Sequence, residues 1–203
     1  MYEKEKEMAF TCLALASEKI MEIYQEGFHV ILKEDHSPVT EADKAAESII
    51  KEAIQKEFPE DGILSEESTE DKSRLQKSRV WIIDPLDGTK EFVRRSGQFA
   101  TNLALAINGK LVAGFVASPV EKKIYYAIKG EGAYLLENGA SKRIHVSSRK
   151  LGELIPICSN SKGNVREMSE FSLENVFKFA ITGVKKLIKS SGDGSSEHSI
   201  NSS

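Results

Sequence analysis

The sequence predicts a mixed α+β and α/β protein, and three observations carry that expectation. Helical periodicity dominates residues 3 to 58, and an apolar strand then ends in Asp84-Pro85-Leu86-Asp87-Gly88-Thr89. Two Asn-Gly turns punctuate the alternating strands that follow. Beyond residue 150 a strand–helix–strand order suggests the start of a second, α/β layer. The expected division is an N-terminal α+β domain over residues 1–150, an incomplete C-terminal α/β domain over 151–192, and a tail over 193–203.

In chain order, residues 3 to 32 read as a helix, because Met8, Cys12, Leu15, Ile20 and Ile23 recur at three- and four-residue steps. Gly27 ends it or loosens its last turn. Lys33 to Val39 is a polar connector, in which Lys33 and His36 could face a phosphate but are more simply solvated. Thr40-Glu41-Ala42-Asp43 opens a second helix, with Thr40 as N-cap and Asp43 completing a capping box. Ala42, Ala45, Ala46, Ile49, Ile50, Ala53 and Phe58 form its buried stripe, and Pro59 stops it. Gly62 to Ser65 is a short strand running into Glu66-Glu67-Ser68, an acidic pair at a strand end. Thr69 to Ser78 reads as an exposed loop or short surface helix.

Val80-Trp81-Ile82-Ile83 reads as a strand covered on both faces. It is expected to break at Pro85, with Gly88 allowing a sharp turn. Thr101–Ile107 and Lys110–Ala117 flank Asn108-Gly109 as a type I′ hairpin. Lys123–Ile128 and Ala133–Leu136 continue an antiparallel meander, and Asn138-Gly139 leads to Arg143-Ile144-His145-Val146. Leu154–Cys158, Val165–Phe179 and Val184–Ile188 read as strand, helix and strand. The Ser-rich end from Lys189 has almost no apolar residue and cannot pack a core.

Composition narrows the function. The chain has 203 residues with 40% hydrophobic and 29% charged residues, ordinary for a soluble globular protein. A net charge of −3 argues against a nucleic-acid-binding surface. Cys12 and Cys158 are too few for a disulfide framework or a zinc site, which fits a reducing cytoplasm. The mixed-charge start precedes no long apolar run, so neither a signal peptide nor an integral membrane span is expected. The expected location is cytoplasmic, with peripheral attachment at the inner membrane face as the alternative.

The chemistry concentrates after the central strand. Asp84 and Asp87, three apart across a proline, can converge on one point, and hard divalent cations want such oxygen ligands. The Leu86 carbonyl can add another. Gly88 and Thr89 offer backbone N–H groups and a hydroxyl where a helix could start, a favourable place for phosphate. Turn and cap roles account for one Asp alone, but two acids with Pro, Gly and Thr favour a metal–phosphate site. Nucleophilic-aspartate phosphatases carry acids two apart, so that chemistry does not fit.

Trp81-Ile82-Ile83-Asp84-Pro85-Leu86-Asp87-Gly88-Thr89, with Ser65-Glu66-Glu67-Ser68 before it and Val39-Thr40-Glu41-Ala42-Asp43 upstream, resembles the magnesium-dependent, lithium-sensitive phosphatases related to inositol monophosphatase. The continuation Lys90-Glu91-Phe92 is similar to the 3′(2′),5′-bisphosphate nucleotidase branch of that family. Cys158 to Lys162 and Lys185 to Gly192 resemble that branch more loosely.

The resemblance implies a layered α-β-α-β-α sugar-phosphatase-type fold. It implies Mg²⁺ held by Glu66, Asp84, Asp87 and the Leu86 carbonyl. It implies a substrate phosphate at Glu66, Leu86, Asp87, Gly88 and Thr89, with catalysis by Asp43, Thr89 and Glu66, where Asp43 pairs with Thr89 to activate a water. The implied substrate is adenosine 3′,5′-bisphosphate, cleaved to AMP and phosphate, with its 5′-phosphosulfate relative as a further candidate. The family's pattern continues past Ser190-Ser191-Gly192 to a Trp-Asp-containing segment that supplies another ligand. Here the Ser-rich tail follows, so a truncated C-terminal layer and reduced activity are expected. The rival readings are an inositol-phosphate or sugar-phosphate phosphatase, and a non-catalytic remnant.

Overall fold

The computed structural model describes residues 1–32, 38–67 and 72–145. The expectations placed on Lys33, His36 and Ser68, on the domain of 151–192 and on the tail of 193–203 lie outside the described residues.

Two helices lie against a seven-stranded sheet. Helix α1 is Glu3–Glu26 and α2 is Glu41–Glu57. A small antiparallel pair, β1 (Val30–Leu32) with β2 (Pro38–Thr40), sits between them in sequence. The main sheet contains β3 (Gly62–Ser65), β4 (Arg79–Asp87), β5 (Ala100–Ile107), β6 (Lys110–Ser118), β7 (Lys123–Ile128), β8 (Gly132–Glu137) and β9 (Ala140–Ile144), in that spatial order. β3 and β4 run parallel, and the neighbours from β4 to β9 pair antiparallel. A 3₁₀ turn at Lys72–Gln76 and a short helix α3 at Thr89–Val93 complete the described elements. No helix among the described residues is long and apolar enough to cross a membrane.

The first helix is shorter than its periodicity suggests. It stops at Glu26 because Gly27 leaves the helical region at φ 110°, its N–H still bonded to the Ile23 carbonyl. Val30-Ile31-Leu32 then extends as a strand, a conformation that suits its β-branched residues. The buried stripe follows strict four-residue steps, Met8-Cys12-Ala16-Ile20 with Ala9 and Leu13, so Leu15 falls outside it and is exposed. Helix α2 has the expected capping box: the Thr40 Oγ1 accepts from the Ala42 N–H at 3.2 Å, and Asp43 Oδ2 accepts from the Thr40 N–H at 2.8 Å.

The two faces of the sheet bury different partners. Trp81, Ile83, Leu103, Leu105 and Phe115 share one core with α1 and α2. Leu64, Ile82 and Ala104 lie on the other face, with Val80, Ala106 and Leu111 beside them. At the edge of the first core, Asp61 accepts from Trp81 Nε1 at 2.9 Å and from Arg79 Nε at 2.9 Å, while Arg79 Nη2 donates to Glu5 at 3.0 Å. This network pins the start of β4 to α1.

Both Asn-Gly turns form as expected. Asn108 and Gly109 take φ 50° and 71°, and Asn138 and Gly139 take φ 50° and 76°, the paired positive angles of a type I′ turn. The expected break at Pro85 does not occur. β4 continues to Asp87 through a bulge, pairing Asp84 with Asn102 and Asp87 with Ala100. Pro85 is tolerated because a bulged residue need not donate to the ladder.

Candidate active site

The bulge decides which way the acids point. Side chains alternate between faces along a strand, so residues three apart normally lie on opposite sides. Between the paired positions, β4 advances three residues while β5 advances two. The extra residue restores the phase. Leu86 accordingly joins the core of Trp81 and Ile83, while Asp87 returns to the face of Asp84. Asn102 shows this directly, since its Nδ2 donates to Asp87 Oδ2 at 3.2 Å from the position opposite Asp84. Thr101, on the other face, donates its hydroxyl to the Pro85 carbonyl at 2.9 Å.

Glu66 reaches the same place by the parallel pairing. Ser65 is in register with Ile83, and the Glu66 N–H bonds the Ile83 carbonyl at 3.1 Å. The next residue on each strand is therefore an acid, and the Glu66 and Asp84 side chains share a hydrogen bond. Burial pushes the Asp84 carboxyl up to about 9, with the charges of Asp87 and then Glu66 adding to the effect. Asp84 Oδ1 is buried with no hydrogen-bond partner among the described residues.

Asp43 and Thr89 stand together. The Thr89 hydroxyl lies 3.1 Å from Asp43 Oδ1 and 3.0 Å from the Leu86 carbonyl oxygen. Asp43 Oδ2 also accepts from the Thr40 hydroxyl at 2.7 Å. Burial raises the Asp43 pKa, against the hydrogen bonds from Thr40 and Thr89 that favour its ionised form. Gly88 separates the two groups at φ 92°, and a Cβ there would stand 2.9 Å from the Gln98 carbonyl oxygen. Both the angle and the space demand glycine.

The donor chemistry fits a hard divalent cation. Three carboxyls share one neighbourhood, one of them has an oxygen buried and unpaired, and no soft ligand is involved. Among the described residues, however, no three His, Cys, Asp or Glu side chains are gathered closely enough to hold a metal ion. Asn102 and Thr101 were not singled out from the sequence. The available signal was an Asn in a strand whose same-face neighbours are Ala104 and Ala106.

Comparison with known proteins places the chain among relatives. The pattern of the inositol monophosphatase family matches residues 1–195. The 3′(2′),5′-bisphosphate nucleotidase CysQ of Salmonella typhimurium LT2 is 42% identical over 134 residues, covering 64% of this chain and 54% of that protein. The CysQ nucleotidase of Escherichia coli K12 is 36% identical over 155 residues, covering 75% of this chain and 63% of that protein. Among solved structures, the extragenic suppressor protein suhB of Bartonella henselae superposes with a TM-score of 0.64 at 30% identity, covering 72% of this chain and 56% of that one. The chain spans between half and two thirds of the length of these curated relatives.

Proposed function

The chain belongs to the inositol monophosphatase family, and from that premise we propose that it is a Mg²⁺-dependent phosphomonoesterase that removes the 3′-phosphate of adenosine 3′,5′-bisphosphate. The observation that carries the reading is the bulge in β4, which turns Asp84 and Asp87 to one face beside Glu66, next to the Asp43–Thr89 pair. The similarity to two CysQ nucleotidases, together with Lys90-Glu91 after the motif, favours a bisphosphorylated nucleotide over an inositol phosphate.

Glu66, Asp84, Asp87 and the Leu86 carbonyl would hold the cation, which supplies charge neutralisation at the phosphate and activation of water. Mg²⁺ suits an all-oxygen donor set. Asp43 holds the Thr89 hydroxyl and provides a proton acceptor beside the site, its pKa raised by burial. Gly88 and Thr89 open α3, where backbone N–H groups could meet a phosphate oxygen beside Glu66, Asp87 and the carbonyl of Leu86. Cys12, a buried thiol without a disulfide, suits the reducing cytoplasm that the sequence predicts.

Phosphate release is the test. Adenosine 3′,5′-bisphosphate, its 5′-phosphosulfate relative and inositol 1-phosphate are compared across a Mg²⁺ titration, with Li⁺ added last. The reading expects Mg²⁺-dependent release from the nucleotides, suppressed by Li⁺. Preference for the inositol phosphate would move the assignment to that branch, and no release from any substrate would leave a non-catalytic member of the family.

A further inference from the structure

Asn102 is the polar end of an otherwise apolar row on the second face of the sheet. Its same-face neighbours along β5 are Ala104 and Ala106, and Ile82 and Leu64 lie alongside on β4 and β3. Asn102 is only 6% exposed, so its amide is desolvated and must find partners within the protein. It finds one in Asp87. Its Nδ2 donates to Asp87 Oδ2 at 3.2 Å, and it stands directly opposite Asp84 in the ladder.

We propose that Asn102 is a positioning residue, whose side-chain amide holds the Asp84 and Asp87 carboxylates in a shared orientation for a divalent cation. The proposal rests on the metal-dependent reading above. Without an anchor, two like charges on one face turn away from each other, and each rotamer lost from the pair weakens its grip on an ion. An amide can restrain both acids while adding no charge of its own. Lys or Arg at this position would bind the carboxylates as a resident counter-ion and compete with the metal. Asp would add a third negative charge. Asn is thus a group that can hold the carboxylates and leave their charge available. Partners of this kind, one bond removed from the ion, typically change metal affinity by roughly 10- to 100-fold when removed.

The test uses the full chain with Asn102→Leu, which keeps the volume without the donor, and Asn102→Ser, whose hydroxyl stops short of the carboxylates. Three quantities are measured: thermal midpoint without cation, Mn²⁺ binding by calorimetric titration, and kcat and KM for adenosine 3′,5′-bisphosphate in Mg²⁺. The expected result is a roughly 10- to 100-fold weaker Mn²⁺ affinity and a higher Mg²⁺ requirement for turnover, in at least one variant that keeps its cation-free midpoint. A purely structural residue would move the midpoint and leave the affinity of the folded fraction unchanged. Folded variants that bind Mn²⁺ within twofold of the parent protein would overturn the proposal and leave the enzymatic reading intact. Collapse of both variants in the absence of cation would also overturn it, since Asn102 would then serve the fold. A parent chain that binds no Mn²⁺ would remove the metal-dependent reading and this proposal together.

Discussion

Asp84 is a carboxyl held where its charge is unwelcome, and its titration should be visible in the stability of the protein. Its folded pKa is raised from 3.8 to about 9, so the folded state keeps a proton that the unfolded chain gives up. Stability of the cation-free protein therefore falls as pH climbs from about 4 to about 9. Asp84→Asn should flatten that fall, measured as the thermal midpoint between about pH 5 and 9, and should abolish phosphate release. Cys12 behaves in the opposite way to a reactive thiol, because burial pushes it up to about 12. In native protein at about pH 8, peptide mapping after iodoacetamide should find Cys12 unlabelled, and denaturant should expose it. The residues whose chemistry sits in one short motif, Asp84, Asp87, Gly88 and Thr89, were legible in the sequence. Asp43 was legible as a cap, and its contact with Thr89 came only from the resemblance. Asn102 was not found, because its partner lies 15 residues away across a ladder whose register no local pattern displays.

The bulge in β4 converts a sequence spacing into a direction. Its exposed weakness is the Pro85 carbonyl, which lies off the regular ladder and takes its hydrogen bond from Thr101. Thr101→Val keeps the shape and β-propensity but leaves that carbonyl unpaired in a fully buried place. The expected cost is about 1–3 kcal/mol in urea denaturation, with a loss of turnover out of proportion to it. Gly88→Ala should be as severe at the other end of the motif, for the added methyl meets the Gln98 carbonyl at a backbone angle that disfavours Ala. The Asn-Gly hairpins could be read from sequence because a two-residue turn is local chemistry. The periodicity carries the helix on to residue 32, whereas Gly27, legible as its end or its loosened last turn, is where it stops and Val30-Ile31-Leu32 becomes β1. Pro85 was read as a strand breaker because that rule holds where the ladder needs an N–H, and a bulge relaxes the need.

For the whole molecule, a bound cation should act as part of the fold. It would bind the folded state and relieve the repulsion among Glu66, Asp84 and Asp87, stabilising the protein by mass action. At a hundredfold excess over its dissociation constant, the gain is about 2.7 kcal/mol. Differential scanning calorimetry should therefore show a higher midpoint with Mg²⁺ than with chelator at about pH 8, and the difference should vanish in Asp84→Asn. The mixed α and β class was legible from the order of helices, strands and turns, the layering came from the resemblance, and the expected second layer lies outside the described residues. The parallel joint between β3 and β4 also sets a timetable. β5 to β9 can zip together from neighbours in the chain, one tight turn at a time. β3 can meet β4 only after the crossover between them swings into place. A half-assembled molecule would thus possess much of its sheet with Asp84 and Asp87 in place but Glu66 still absent, and a complete grip on an ion would be the last thing the growing fold acquires.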